Sequence, residues 1–144
     1  MKKLIAIILI VVLALPALAM SDGSTDILGK WSFYWDTRPM NDQYNNGKPL
    51  MSFLIHSIDL YFFEDNVAYM TSADMDTKGK FEQERVALDG VWIETGEGTF
   101  TANFKGTKYK MELDAEGRLL FYMTESVPYP FTKTPDYDFF AENP

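Results

Sequence analysis

The sequence predicts an all-β domain, an antiparallel sheet closed into a barrel ahead of a two-sheet sandwich. Three observations predict it. Apolar and aromatic residues recur at every second position in several short runs. Clusters of Gly, Asp, Asn and Pro separate those runs at short, regular spacing. No stretch after residue 20 sustains a helical period for three turns. Closure is favoured because it removes the unpaired edges that an open sheet exposes.

Ile27 to Asp36 reads as the first strand, with Trp31, Phe33 and Trp35 on one side and Ser32, Tyr34 and Asp36 on the other. Thr37 to Pro49 is rich in Asn, Asp, Pro and Gly and reads as a long loop. Leu50 to Phe63 is a second extended run, bent near His56-Ser57 and apolar on both faces. Glu64-Asp65-Asn66 supplies a tight turn, since Asp and Asn tolerate left-handed backbone, and Val67 to Ser72 returns. Asp74 to Lys80 reads as a polar turn, Phe81 to Leu88 as a short edge strand, and Asp89-Gly90 as a break before Val91-Trp92-Ile93.

From there the pattern is regular. Phe100, Ala102 and Phe104 alternate with Thr99, Thr101 and Asn103, and Gly106-Thr107 turns the chain. Tyr109, Met111 and Leu113 alternate with Lys108, Lys110 and Glu112. After the turn Asp114-Ala115-Glu116-Gly117 come Leu119, Phe121 and Met123, and Tyr129 to Lys133 is a last short strand. That makes about nine strand candidates.

The flanks are of another kind. Lys2-Lys3, the unbroken apolar run Leu4 to Leu15, Pro16, and Ala17-Leu18-Ala19 match the three parts of a secretory signal, with cleavage after Ala19. The apolar run is shorter than the ~20 residues a membrane-crossing helix needs, which favours a removed signal over a retained anchor. The expected layout is a signal peptide at 1–19, a polar linker at 20–26, a barrel domain at 27–134 and an acidic tail at 135–144. Removing the leader leaves 125 residues, enough for one domain, and takes the formal net charge from −8 to −10. Such a chain repels nucleic acid and anionic lipid, so neither is expected as a partner, nor is the membrane after cleavage. No cysteine is present, so neither a disulfide nor a lipid-modified cysteine holds an exported form. All 22 aromatic residues lie beyond position 30, so rings build the core.

Little of the sequence points to catalysis. His56 is the only histidine and shares parity with Leu54, Ile58, Leu60 and Phe62. It reads as an interior hydrogen-bonded residue, with a polar anchor in a cavity or a general base as the functional alternatives. Asp59 has the opposite parity and reaches His56 only through a bend at Ser57. Asp74-Met75-Asp76-Thr77-Lys78-Gly79 resembles the start of a calcium loop, but Lys78 and Arg85 stand where ligands belong. One histidine and no cysteine cannot build the usual zinc site, and no serine has a nucleophile-elbow setting. No enzyme, cofactor or metal is expected.

Gly29-Lys30-Trp31 opens the first strand and Gly90-Val91-Trp92 a later one, with Tyr61-Phe62-Phe63-Glu64-Asp65-Asn66-Val67 between them. Together these resemble the bacterial lipocalin-like domains of the calycin group, over roughly Leu28 to Lys133. Asn66 departs from the pattern, which usually has Gly there. The resemblance implies an up-and-down barrel of about eight strands, its interior either filled or wide enough for one small ligand. It also implies that Trp31 plugs the closed end with a basic side chain packed across it, Lys133 first and Arg118 second. Trp92 is a core ring or part of a binding wall.

The leading expectation is an exported, non-catalytic, lipocalin-like domain that binds a small apolar or aromatic ligand, with Trp35 and His56 lining the site. The alternative is a solid barrel that contacts a protein partner through loop 37–49 or tail 135–144. A third is an exported hydrolase using His56.

Overall fold

The computed structural model describes residues 26–82 and 87–135. The leader and most of the linker and tail named above lie outside them. Side chains alternate along the strands, and most of the large apolar ones turn to one shared interior. The strands are β1 (Gly29–Asp36), β2 (Phe53–Phe62), β3 (Val67–Asp76), β4 (Phe81–Glu82), β5 (Leu88–Gly96), β6 (Thr99–Phe104), β7 (Thr107–Leu113), β8 (Leu119–Tyr122) and β9 (Pro128–Thr134). They pair antiparallel in the order β2-β1-β9-β8-β7-β6-β5-β3, and β2 pairs with β3 to close the ring. The result is an eight-stranded up-and-down barrel. β4 stands outside that ring of eight: it pairs with Asp74 and Met75 of β3, beyond the stretch Val67–Met70 that β5 occupies.

Rings fill much of the interior. Trp31, Phe62, Phe100, Phe121 and Phe131 are fully buried and pack with Leu60, Met111 and Leu119. Edge-on and tilted ring contacts run through this core, from Phe62 to Trp92 to Phe100 and from Phe33 to Phe131 to Phe121. Outside the barrel wall, Asp59 takes a hydrogen bond from Ser32 (2.6 Å) and an ion pair from Lys30 (3.6 Å), tying β2 to β1.

The structure departs from the expected elements in four places. Thr37 to Pro49 is not all loop, because Arg38–Asn45 forms a helix, α1. Pro39 fits its first turn, where the missing N–H has no partner to lose, and Asn46 at φ 50° ends it, with the Gly47 N–H bonded to Asn41 O (3.0 Å). An eight-residue helix is too short for a periodicity criterion. The irregularity of β2 lies between Phe53 and Ile55, not at His56-Ser57, so Asp59 keeps its outward parity and does not meet His56. β3 runs on to Asp76, and the turn is confined to the residues after it. There the Asp76 carboxylate replaces ladder bonds by accepting the N–H groups of Lys78 and Lys80, each at 2.9 Å. Asp89-Gly90 breaks nothing: both lie inside β5. Gly90 is needed there because a Cβ would stand 2.5 Å from the Phe104 ring and 2.6 Å from Asn103 O.

Candidate functional site

The two ends of the barrel differ. At one end β1 starts, β2 finishes and β9 finishes, and Trp31 lies opposite both Leu60 and Lys133. The indole is buried, its Nε1–H donates to Ile27 O (2.7 Å), and Lys133 Nζ sits 5.4 Å from the ring centroid. The same ammonium donates to Asp26 O (2.9 Å). Ring, ammonium and the chain entering β1 thus form one plug. Arg118 is elsewhere, paired with Asp114 and Glu116 in the β7–β8 turn.

At the other end β1 finishes, β2 starts and α1 crosses between them. Here the interior is not filled. A cavity of about 210 Å³ remains, lined by His56, Ile58, Met70, Ser72, Leu88, Tyr109, Phe121 and Met123. Strand parity explains the set. His56 and Ile58 share the inward face of β2 and lie opposite Asp74 and Ser72, while Met70 lies opposite Leu88. Ile58 and Phe121 are buried at the floor, and Ser72 and Met123 are exposed at the rim. Tyr109 and Phe121 stack at 4.9 Å between centroids, giving one wall a flat aromatic surface.

His56 is held in a defined state. Its Nδ1 lies 2.5 Å from Asp74 Oδ1, directly across the β2–β3 ladder. A carboxylate accepts, so Nδ1 carries the proton and Nε2 is the nitrogen left for other contacts. Trp35 shares the inward face of β1 opposite His56 but does not line the cavity. It packs edge-on against Phe53 (5.6 Å), and Phe53 packs against the His56 ring (5.6 Å), so the two sequence-predicted lining residues are joined through a third ring. Beside them, the Arg38 guanidinium and backbone N–H hold the Asp36 carboxyl below its usual range, so the rim's outer charge is paired internally.

Trp92 belongs to the core: its Nε1–H donates to Phe63 O (3.0 Å), while Val91 and Ile93 face outward. Asp74, Tyr109 and Phe121 were not foreseen at a site. Tyr109 and Phe121 carry a strand signal only, and the polar run from Asp74 reads as turn, which hides the parity of Asp74 with His56. A larger depression, about 480 Å³, lies outside the barrel at the β2–β3 hairpin, lined by Phe63, Glu64, Asp65, Val67 and Tyr69. It is a surface groove open to solvent, and it holds no chemistry comparable to the His56–Asp74 pair. Among the described residues no group of three or more His, Asp or Glu side chains is placed to hold a metal ion. No protein-family model matches the chain, and no curated protein or solved structure matches it either.

Proposed function

We propose that this chain is an exported, non-catalytic, lipocalin-like barrel that holds a small apolar ligand in its open-end cavity. The observation that carries the reading is the asymmetry of the interior, plugged by Trp31 and Lys133 at one end and hollow beside His56 at the other. An interior that served stability alone would be packed at both ends, because voids forfeit dispersion contacts. The Trp31–Lys133 contact and the Gly29-Lys30-Trp31 motif support the lipocalin-like kinship, and the Lys2-to-Ala19 pattern supports export.

The test is a titration of the protein with apolar ring compounds, followed through tryptophan emission. Trp35 lies within two ring contacts of the cavity wall and is the reporter. The reading predicts saturable change that is lost in Trp35→Phe; no saturable change from a folded barrel contradicts it. Export is tested separately, by the N-terminal residue of protein recovered from outside the cell, which should be Met20.

A second reading, an interaction module, rests on a specific patch. Tyr34, Met40, Tyr44, Leu50 and Met51 are all exposed along the β1–α1–β2 segment. Exposed apolar clusters of this kind mark contact surfaces. Loss of a captured partner on Tyr44→Ser, with ring binding intact, would favour that role for the segment.

A further inference from the structure

Resting on the ligand-binding reading above, we infer that the cavity takes a neutral, single-ring aromatic molecule bearing one hydroxyl group, whose O–H bonds to His56 Nε2. Three observations lead there. The first is size. At about 210 Å³ the cavity is smaller than the ~300–1,000 Å³ that drug-sized ligands occupy, which leaves room for one ring rather than a long chain or a fused system.

The second is wall chemistry. No Asp, Glu, Lys or Arg is among the described residues lining the cavity, and the Asp74 carboxylate beside it is already bonded to His56. A bound ion would therefore shed its hydration without compensation, so a neutral occupant is favoured. The stacked Tyr109–Phe121 pair offers a flat face to a flat ligand.

The third is the small set of polar groups. Asp74 accepts from Nδ1, so Nε2 is the ring nitrogen left to meet a ligand, and Ser72 and Tyr109 add hydroxyls to a lining that is apolar elsewhere. A ligand that bonds to Nε2 needs one donor. A phenolic O–H supplies it, and the rest of the ring reaches toward Ile58 and Phe121.

The experiment compares two molecules of one shape, p-cresol and p-xylene, which differ by hydroxyl for methyl, with benzoate and benzylamine as charged comparators. The expected result is p-cresol binding about three- to tenfold tighter than p-xylene, the worth of one net hydrogen bond, and tighter than both ions. In His56→Phe, which keeps a ring at the position, the ratio should fall to about one. An independent readout is the Nε2 nitrogen resonance of His56, which should shift with p-cresol and not with p-xylene, and which needs no variant to fold. Equal binding of p-cresol and p-xylene overturns this inference and leaves the cavity reading standing. Tighter binding of either ion also overturns it. If none of the four binds, the cavity reading falls too.

Discussion

Asn66 and Trp92 are bonded to each other twice. The Trp92 N–H donates to Asn66 O at 2.9 Å, and the Asn66 side-chain amide donates to Trp92 O at 3.0 Å. The β2–β3 turn is thereby stitched to β5 at the point where the Trp92 ring enters the core. Asn66 also has φ 63°, the left-handed region that few non-glycine residues adopt cheaply. Asparagine therefore does what glycine would do for the backbone and adds a bond that glycine cannot make. Asn66→Gly should lose about 1 kcal/mol, the bond alone. Asn66→Ala should lose more, about 2–3 kcal/mol, because left-handed strain of ~1–2 kcal/mol is added. Urea unfolding of the two variants checks the order.

The plug at the same end of the barrel predicts a different ranking. Trp31→Ala removes a buried ring and should cost about 3–5 kcal/mol. Lys133→Met keeps the stem over the indole and loses only the ammonium, so about 1 kcal/mol is expected. Lys133→Arg should restore most of that loss. Thermal unfolding of the three proteins distinguishes a ring–cation plug from ordinary burial, in which Met and Arg would rank the other way.

Gly90 is required by space rather than by backbone angle. Gly90→Ala should destabilise by about 1–3 kcal/mol through overpacking against Phe104. Adding Phe104→Leu should not rescue it, because the backbone oxygen of Asn103 stays 2.6 Å from the new Cβ. A double-mutant cycle measures this directly.

The Asp76 carboxyl is held below its usual range, chiefly by the Lys80 N–H, with the Lys78 N–H and the two lysine charges assisting against partial burial. Its folded pKa is below its unfolded one, so its contribution is complete above the unfolded value of ~3.9 and is lost as pH falls through the folded value. Asp76→Ala should therefore lower the melting temperature at neutral pH. The gap from the parent should close as the pH drops below about 4. A gap that stayed constant into acid would remove the carboxylate from the account.

How far the sequence carried depended on which force shaped each part. The alternation of Phe100, Ala102 and Phe104 with polar neighbours was decisive, because burial acts residue by residue. The same alternation left the inward face of Val91-Trp92-Ile93 open between ring and aliphatic pair, and in the fold the two aliphatic residues face solvent. There the Trp92 ring has the larger surface to bury and a bond to Phe63 O, and it took the inside. α1 escaped notice because its signal lies in Pro39 and the Asn46 cap rather than in apolar spacing. At the site, the parity of His56 was legible, and its partner was not. Asp74 faces His56 because of the β2–β3 register, and register is a property of two strands that neither displays alone. The hollow beside them was equally hidden, since the same rings can fill a barrel or line it.

The central claim is that the open end is a binding cavity, and methionine methyl resonances test it most directly. Met70 and Met123 line the cavity, whereas Met40 and Met51 are exposed and do not line it. Titration with p-xylene should move the Met70 and Met123 methyl signals along a saturable curve and leave Met40 and Met51 in place. Unmoved Met70 and Met123 at saturating p-xylene, in a protein whose spectrum is that of a folded barrel, would contradict it.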